Sequence, residues 1–77
     1  MKVNVLSFGQ VADITGETSL MISSVKNTAE LNHLLQEQYP GLRAVKYLMA
    51  VNKKMIQTET SLNDGDTVAL LPPFSGG

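Results

Sequence analysis

Few groups in this 77-residue chain have reactive chemistry: one histidine, one acidic turn, and a carboxylate at the end of "LLPPFSGG". His33 falls on the side of its segment opposite Leu31, Leu34 and Leu35. A general base needs an orienting partner, which this segment is not expected to offer, so His33 reads as a solvated imidazole without a role. Asn63-Asp64-Gly65-Asp66 holds two carboxylates, but it lacks the alternating oxygen ligands and closing glutamate of a calcium loop. It reads as a tight turn with Gly65 at positive φ, and no metal site is expected. Lys53 and Lys54 read as the solvated charges of a hairpin.

"PPFSGG" is different in kind. Pro72 and Pro73 extend the backbone and reduce the entropy lost when a tail docks. Six residues can reach at most about 20 Å, enough to pass from a domain surface into another protein. Gly76 and Gly77, without Cβ atoms, fit a channel too narrow for side chains and bring the terminal carboxylate to its end. That carboxylate is ionised and inert towards nucleophiles until it is activated. Activation as an acyl-adenylate by a nucleotide-using partner would open it to a sulfur or nitrogen nucleophile.

The preceding residues must supply a rigid base for such a tail. "KVNVLSF" has apolar residues that do not alternate strictly, and it reads as a strand covered on both faces. "GQVADITG" spaces Val11 and Ile14 for one helical turn closed by Gly16, and "ETSLMIS" follows as a strand antiparallel to the first. From Asn27 the period becomes helical, with Leu31, Leu34, Leu35 and Tyr39 on one face. Asn27 or Thr28 caps this helix, Glu30 favours its positive end, and Pro40-Gly41 stops it. "YLMAVN" and "KKMIQ" read as two strands turning near Asn52 and Lys53. "SLNDGDTVALL" places a turn at Asp64-Gly65 before a last strand, with Val68 and Leu70 on one face and Ala69 and Leu71 on the other. The order ββαβββ predicts an α+β, β-grasp (ubiquitin-like) fold: a mixed sheet, one main helix across one face, and the last strand central beside the first. Residues 1–71 form the domain and residues 72–77 a flexible C-terminal tail.

Composition narrows the functions. At 43% hydrophobic residues the chain suits one globular core, too small for a deep enclosed active site. Six Lys plus Arg against seven Asp plus Glu, net −1, form no basic footprint for nucleic acid or anionic membrane. With no cysteine, disulfides, thiolate metal sites and cysteine nucleophiles are excluded. The N-terminal stretch lacks the pattern of a signal peptide, and the expected location is cytoplasmic.

"VNVLSFGQVADITG", "LMAVN", "LNDGDTVALLPP" and the closing "GG" together resemble the MoaD/ThiS ubiquitin-like sulfur carriers, specifically the small subunit of molybdopterin synthase. The resemblance covers Val3 to Gly77. It implies that an E1-like enzyme uses ATP to adenylate the terminal glycine, which then becomes a thiocarboxylate. It further implies that the tail enters the large subunit of molybdopterin synthase and gives its sulfur to cyclic pyranopterin monophosphate. Gly77 would bear the sulfur and Gly76 would give it passage. Phe74 and Leu71, with Pro73 and Ser75 between Leu71 and Gly76, would make the partner contact; otherwise Leu71 belongs to the core with Phe74 folded over it. The family implies a hetero-oligomer of two carriers on a large-subunit dimer, and a sulfur-donor subunit that binds no cofactor and has no catalytic site of its own. Relatives often carry a large apolar residue at the position of Ser7 and an arginine near that of Ala12. Three competitors share the β-grasp expectation: a sulfur carrier for thiazole synthesis, a ubiquitin-like protein modifier, and an interaction module with an inert tail.

Overall fold

Each element follows from the local sequence, and the computed structural model describes residues 2–73. β1 (Lys2–Ser7) and β2 (Ser19–Ser23) pair antiparallel, with Val3 opposite Ile22 and Val5 opposite Leu20. Between them lies α1 (Gly9–Thr15), two turns where the sequence predicts one. The added turn is closed by Gly16 at φ 76°, whose N–H donates to the Ala12 carbonyl, and by the Thr15 hydroxyl donating to the Glu17 carbonyl.

α2 (Thr28–Gln38) begins at Asn27, whose Oδ1 accepts the Glu30 N–H at 2.8 Å. In return the Glu30 carboxylate accepts the Lys26 N–H, so both ends of the first turn are satisfied by side chains. Leu31 and Leu35 are fully buried, with Leu34 and Tyr39 packed at the margin of the core. Pro40-Gly41 ends α2 as expected, but the chain continues as a short 3-10 helix (Pro40–Ala44) that buries Leu42. Gly41 allows this approach, since a Cβ there would stand 3.0 Å from Ile14 Cγ2 of α1.

β3 (Leu48–Val51) and β4 (Lys54–Met55) form a hairpin through Asn52 and Lys53, and β5 (Thr67–Leu71) completes the sheet in the order β2-β1-β5-β3-β4. β5 runs parallel to β1 and antiparallel to β3, so the last strand is central, as the predicted fold requires. The turn before it is made by its own carboxylates. Asp64 Oδ1 accepts the Lys2 N–H, and Asp66 accepts the Asn63 N–H through Oδ2 and the Asn52 amide through Oδ1. Gly65 takes φ 85°. The hydrogen bond from the Asn63 backbone, and then that from the Asn52 side chain, hold the Asp66 carboxyl below its ordinary range.

Both helices and the 3-10 segment feed one core beneath the sheet, built on Val3, Val5, Val11, Leu31, Leu35, Leu42, Val68 and Leu70. β1 is therefore covered on one face and not on two. Val3, Val5 and Ser7 point into the core, while Leu6 is half-buried on the other side and Phe8, just past the strand, is 46% exposed. A chain of this length has one helical layer to offer, and unbroken apolar residues in β1 do not imply a second. Among the described residues no helix is long and apolar enough to cross a membrane.

Candidate functional site: the open sheet face and the exit of the last strand

Strand alternation puts Leu6 of β1, Ala69 and Leu71 of β5, Leu48 and Ala50 of β3 and Met55 of β4 on the side of the sheet away from the helices. With Phe8 these residues form an apolar surface, including a groove of about 560 Å³ that runs from Phe8 and Leu71 to Asn52, Lys53 and Thr67. Phe8, Leu48 and Met55 are each more than 40% exposed. Large apolar groups gathered on one face at such exposure mark a surface that another molecule covers.

The chain leaves this surface at a fixed point. Leu71 is the last paired residue of β5, opposite Leu48, and the Phe8 N–H donates to the Leu70 carbonyl at 3.2 Å. Pro72 has no N–H with which to extend the ladder, so pairing stops there. Its ring lies over Gly9, where a Cβ would meet Pro72 Cγ at 3.1 Å. Gly9 also has φ 56°, a conformation that glycine holds without steric cost. The first residue of the tail is thus seated between a central strand and the start of α1, at the apolar end of the open face.

Of the sequence-predicted site residues, Leu71 lies on this face, half-buried and on the side opposite Leu70, so it is not part of the core. Pro73 is exposed. Phe74, Ser75, Gly76 and Gly77 lie outside the described residues. Residues that sequence reasoning did not assign to the site include Leu6, Phe8, Ala50, Lys53, Met55 and Ala69. The signal in the sequence is the break in alternation at Leu6 and Phe8, which puts apolar side chains on the outer face of β1.

His33, Ser7 and Ala12 lie away from this groove. His33 is 75% exposed on α2 and does have a carboxylate beside it, Glu37 Oε2 at 3.5 Å, contrary to expectation. The pair is a solvated i, i+4 contact. Ser7 is buried with its hydroxyl unpartnered among the described residues, and Ala12 is half-buried on α1. Neither lines the groove.

The sequence matches the ThiS family over residues 5–77. It is 40% identical over 82 residues to the molybdopterin synthase sulfur carrier subunit of Mycobacterium tuberculosis, covering 100% of this chain and 99% of that one. Among solved structures it is similar to the complex of subunits 1 and 2 of the molybdopterin-converting factor from Helicobacter pylori, with TM-score 0.75, 35% identity and 100% of both chains covered. It is also similar to the small archaeal modifier protein 1 of Methanosarcina acetivorans, with TM-score 0.86 and 25% identity, covering 99% of this chain and 96% of that one.

Proposed function

The chain belongs to the ThiS family, and from that membership we propose that it is the sulfur carrier subunit of a molybdopterin synthase. The observation that carries this reading is the exit of the central strand β5, through a seated Pro72, at the margin of an apolar face with no cover among the described residues. A carrier needs these two things side by side: a surface to dock and a tail aimed past it. Full-length likeness to named sulfur carrier subunits supports the choice of pathway.

In this reading residues 1–71 are the docking domain and residues 72–77 the delivery tail. An E1-like enzyme, using ATP, joins the Gly77 carboxylate to the α-phosphorus with loss of pyrophosphate. A sulfur nucleophile then displaces AMP, leaving a thiocarboxylate. The tail enters the large subunit, and the sulfur passes to cyclic pyranopterin monophosphate. Phe74 and Leu71 anchor the tail at the partner's surface, Pro73 and Ser75 keep it extended, and Gly76 passes the narrowest part of the channel. Two carriers sit on a large-subunit dimer in the cytoplasm. The carrier is a co-substrate: it holds no cofactor, and acid, base and pterin site belong to the partners.

Likeness to the small archaeal modifier protein favours a second reading, in which the activated glycine ends as an amide on a lysine. Both readings share activation at Gly77. Adding one residue after Gly77 tests this common step: adenylation and transfer stop while the fold is unchanged. Retained transfer in the extended protein would remove Gly77 from the mechanism.

A further inference from the structure

Among the described residues, three non-glycine residues have positive φ: Ser24, Asn52 and Lys53. Ser24 lies between β2 and α2, away from the open face. Asn52, at φ 49°, is held by its own side chain, which donates to Asp66 Oδ1 and accepts the Thr67 N–H. Asparagine is also among the residues that tolerate this conformation. Lys53, at φ 74°, has no such support. Its side chain makes no hydrogen bond or ion pair among the described residues. A two-residue hairpin with positive φ at both positions prefers Asn-Gly, so a glycine at 53 would relieve the turn of a standing strain.

The strained position has a distinctive place. Lys53 lines the groove of the open face at its Thr67 end, about 13 Å along β5 from the point where the tail leaves. The charges carried on the strands have one sign. No strand contains an aspartate or glutamate. By alternation Lys2 shares the side of Asn4 and Leu6. The carboxylates of Asp64 and Asp66, in the turn before β5, accept the Lys2 and Asn63 N–H groups and the Asn52 amide, and neither pairs with Lys53 among the described residues. A chain of net charge −1 therefore builds its open face from strands whose own charges are cationic.

We propose that Lys53 is a recognition residue, kept in a strained turn because its ammonium pairs with a carboxylate that the large subunit places at the rim of its apolar docking patch. This rests on the carrier reading above and adds to it the chemistry of the partner: an apolar centre that meets Leu6, Phe8 and Leu71, with acidic groups at the end remote from the tail channel. A rim charge of this kind acts on partner choice and association rate, and its effect is screened by salt.

The test compares wild type with K53G, K53Q and K53R by thermal unfolding and by affinity for the recombinant large subunit at low and high salt. K53G unfolds about 2–5 °C higher, because the turn strain is gone. K53G and K53Q bind about 3–10-fold more weakly at low salt, the loss closing at high salt, and K53R binds as wild type does. K53Q keeps a side chain at position 53, so its affinity reports on charge apart from turn geometry. Unchanged affinity of K53Q at low salt, or a K53G protein that is no more stable than wild type, would overturn the inference while leaving the carrier reading intact. Failure of the wild-type protein itself to bind the large subunit would remove both.

Discussion

Gly9 and Ser7 show how two nearby positions divide the work of fold and function. Gly9 gives Pro72 its seat, so Gly9→Ala meets two penalties: positive φ, and a Cβ 3.1 Å from the Pro72 ring. The expected loss is about 1–2 kcal/mol of unfolding free energy, together with weaker association with the large subunit, because the tail starts from a displaced residue. Calorimetric unfolding and an affinity measurement on the same variant check both. Ser7 is turned into the core and not towards the open face. Its hydroxyl is buried and unpartnered among the described residues. Replacing it with alanine removes a desolvated polar group, and Ser7→Ala is expected to raise stability by up to about 1 kcal/mol, read by denaturant unfolding, with sulfur transfer unchanged. Neither role could be read from residue type, since burial depends on which side of β1 the single helical layer lies.

The turn before β5 ties the sheet together through one carboxylate, which links Asn63 to the β3–β4 hairpin at Asn52. Because these hydrogen bonds hold the Asp66 pKa below its unfolded value, their stabilisation is present above the ordinary carboxylate range and is lost as pH falls through the lowered folded value. The difference in stability between wild type and Asp66→Asn is therefore expected to be constant near neutrality and to shrink below about pH 4, as read by urea unfolding at a series of pH values. Other parts of this architecture were legible directly. The Asn27 cap, the Leu31–Leu35 stripe and the Asp64-Gly65 turn rest on local signals that agree with the tertiary result, and the central place of β5 follows from the fold that the element order predicts. The second turn of α1 and the 3-10 helix at Leu42 were not legible. Both depend on how closely Ile14 approaches Gly41, a contact between segments with no period in the chain.

The assembled domain is one sheet covered by helices on a single side, with a buried face for stability and an open face for association. The chemistry of the proposed function belongs to the six residues that follow Leu71 in the sequence. Docking and folding should then be separable. Phe8→Ala, at a position 46% exposed, is expected to change unfolding free energy by less than about 1 kcal/mol and to weaken binding to the large subunit by about 30-fold, the effect of losing one aromatic anchor. Equal affinity in the variant would place the docking surface elsewhere. The central claim is that the end of the chain is converted, and intact mass spectrometry tests it most directly. After incubation with ATP, a sulfide source and the E1-like enzyme of the same cell, the C-terminal fragment should gain about 16 Da, the exchange of one oxygen for sulfur at Gly77. An unchanged mass, with the activating enzyme shown to be competent on another carrier, would contradict the account and leave an interaction domain whose tail is not a substrate.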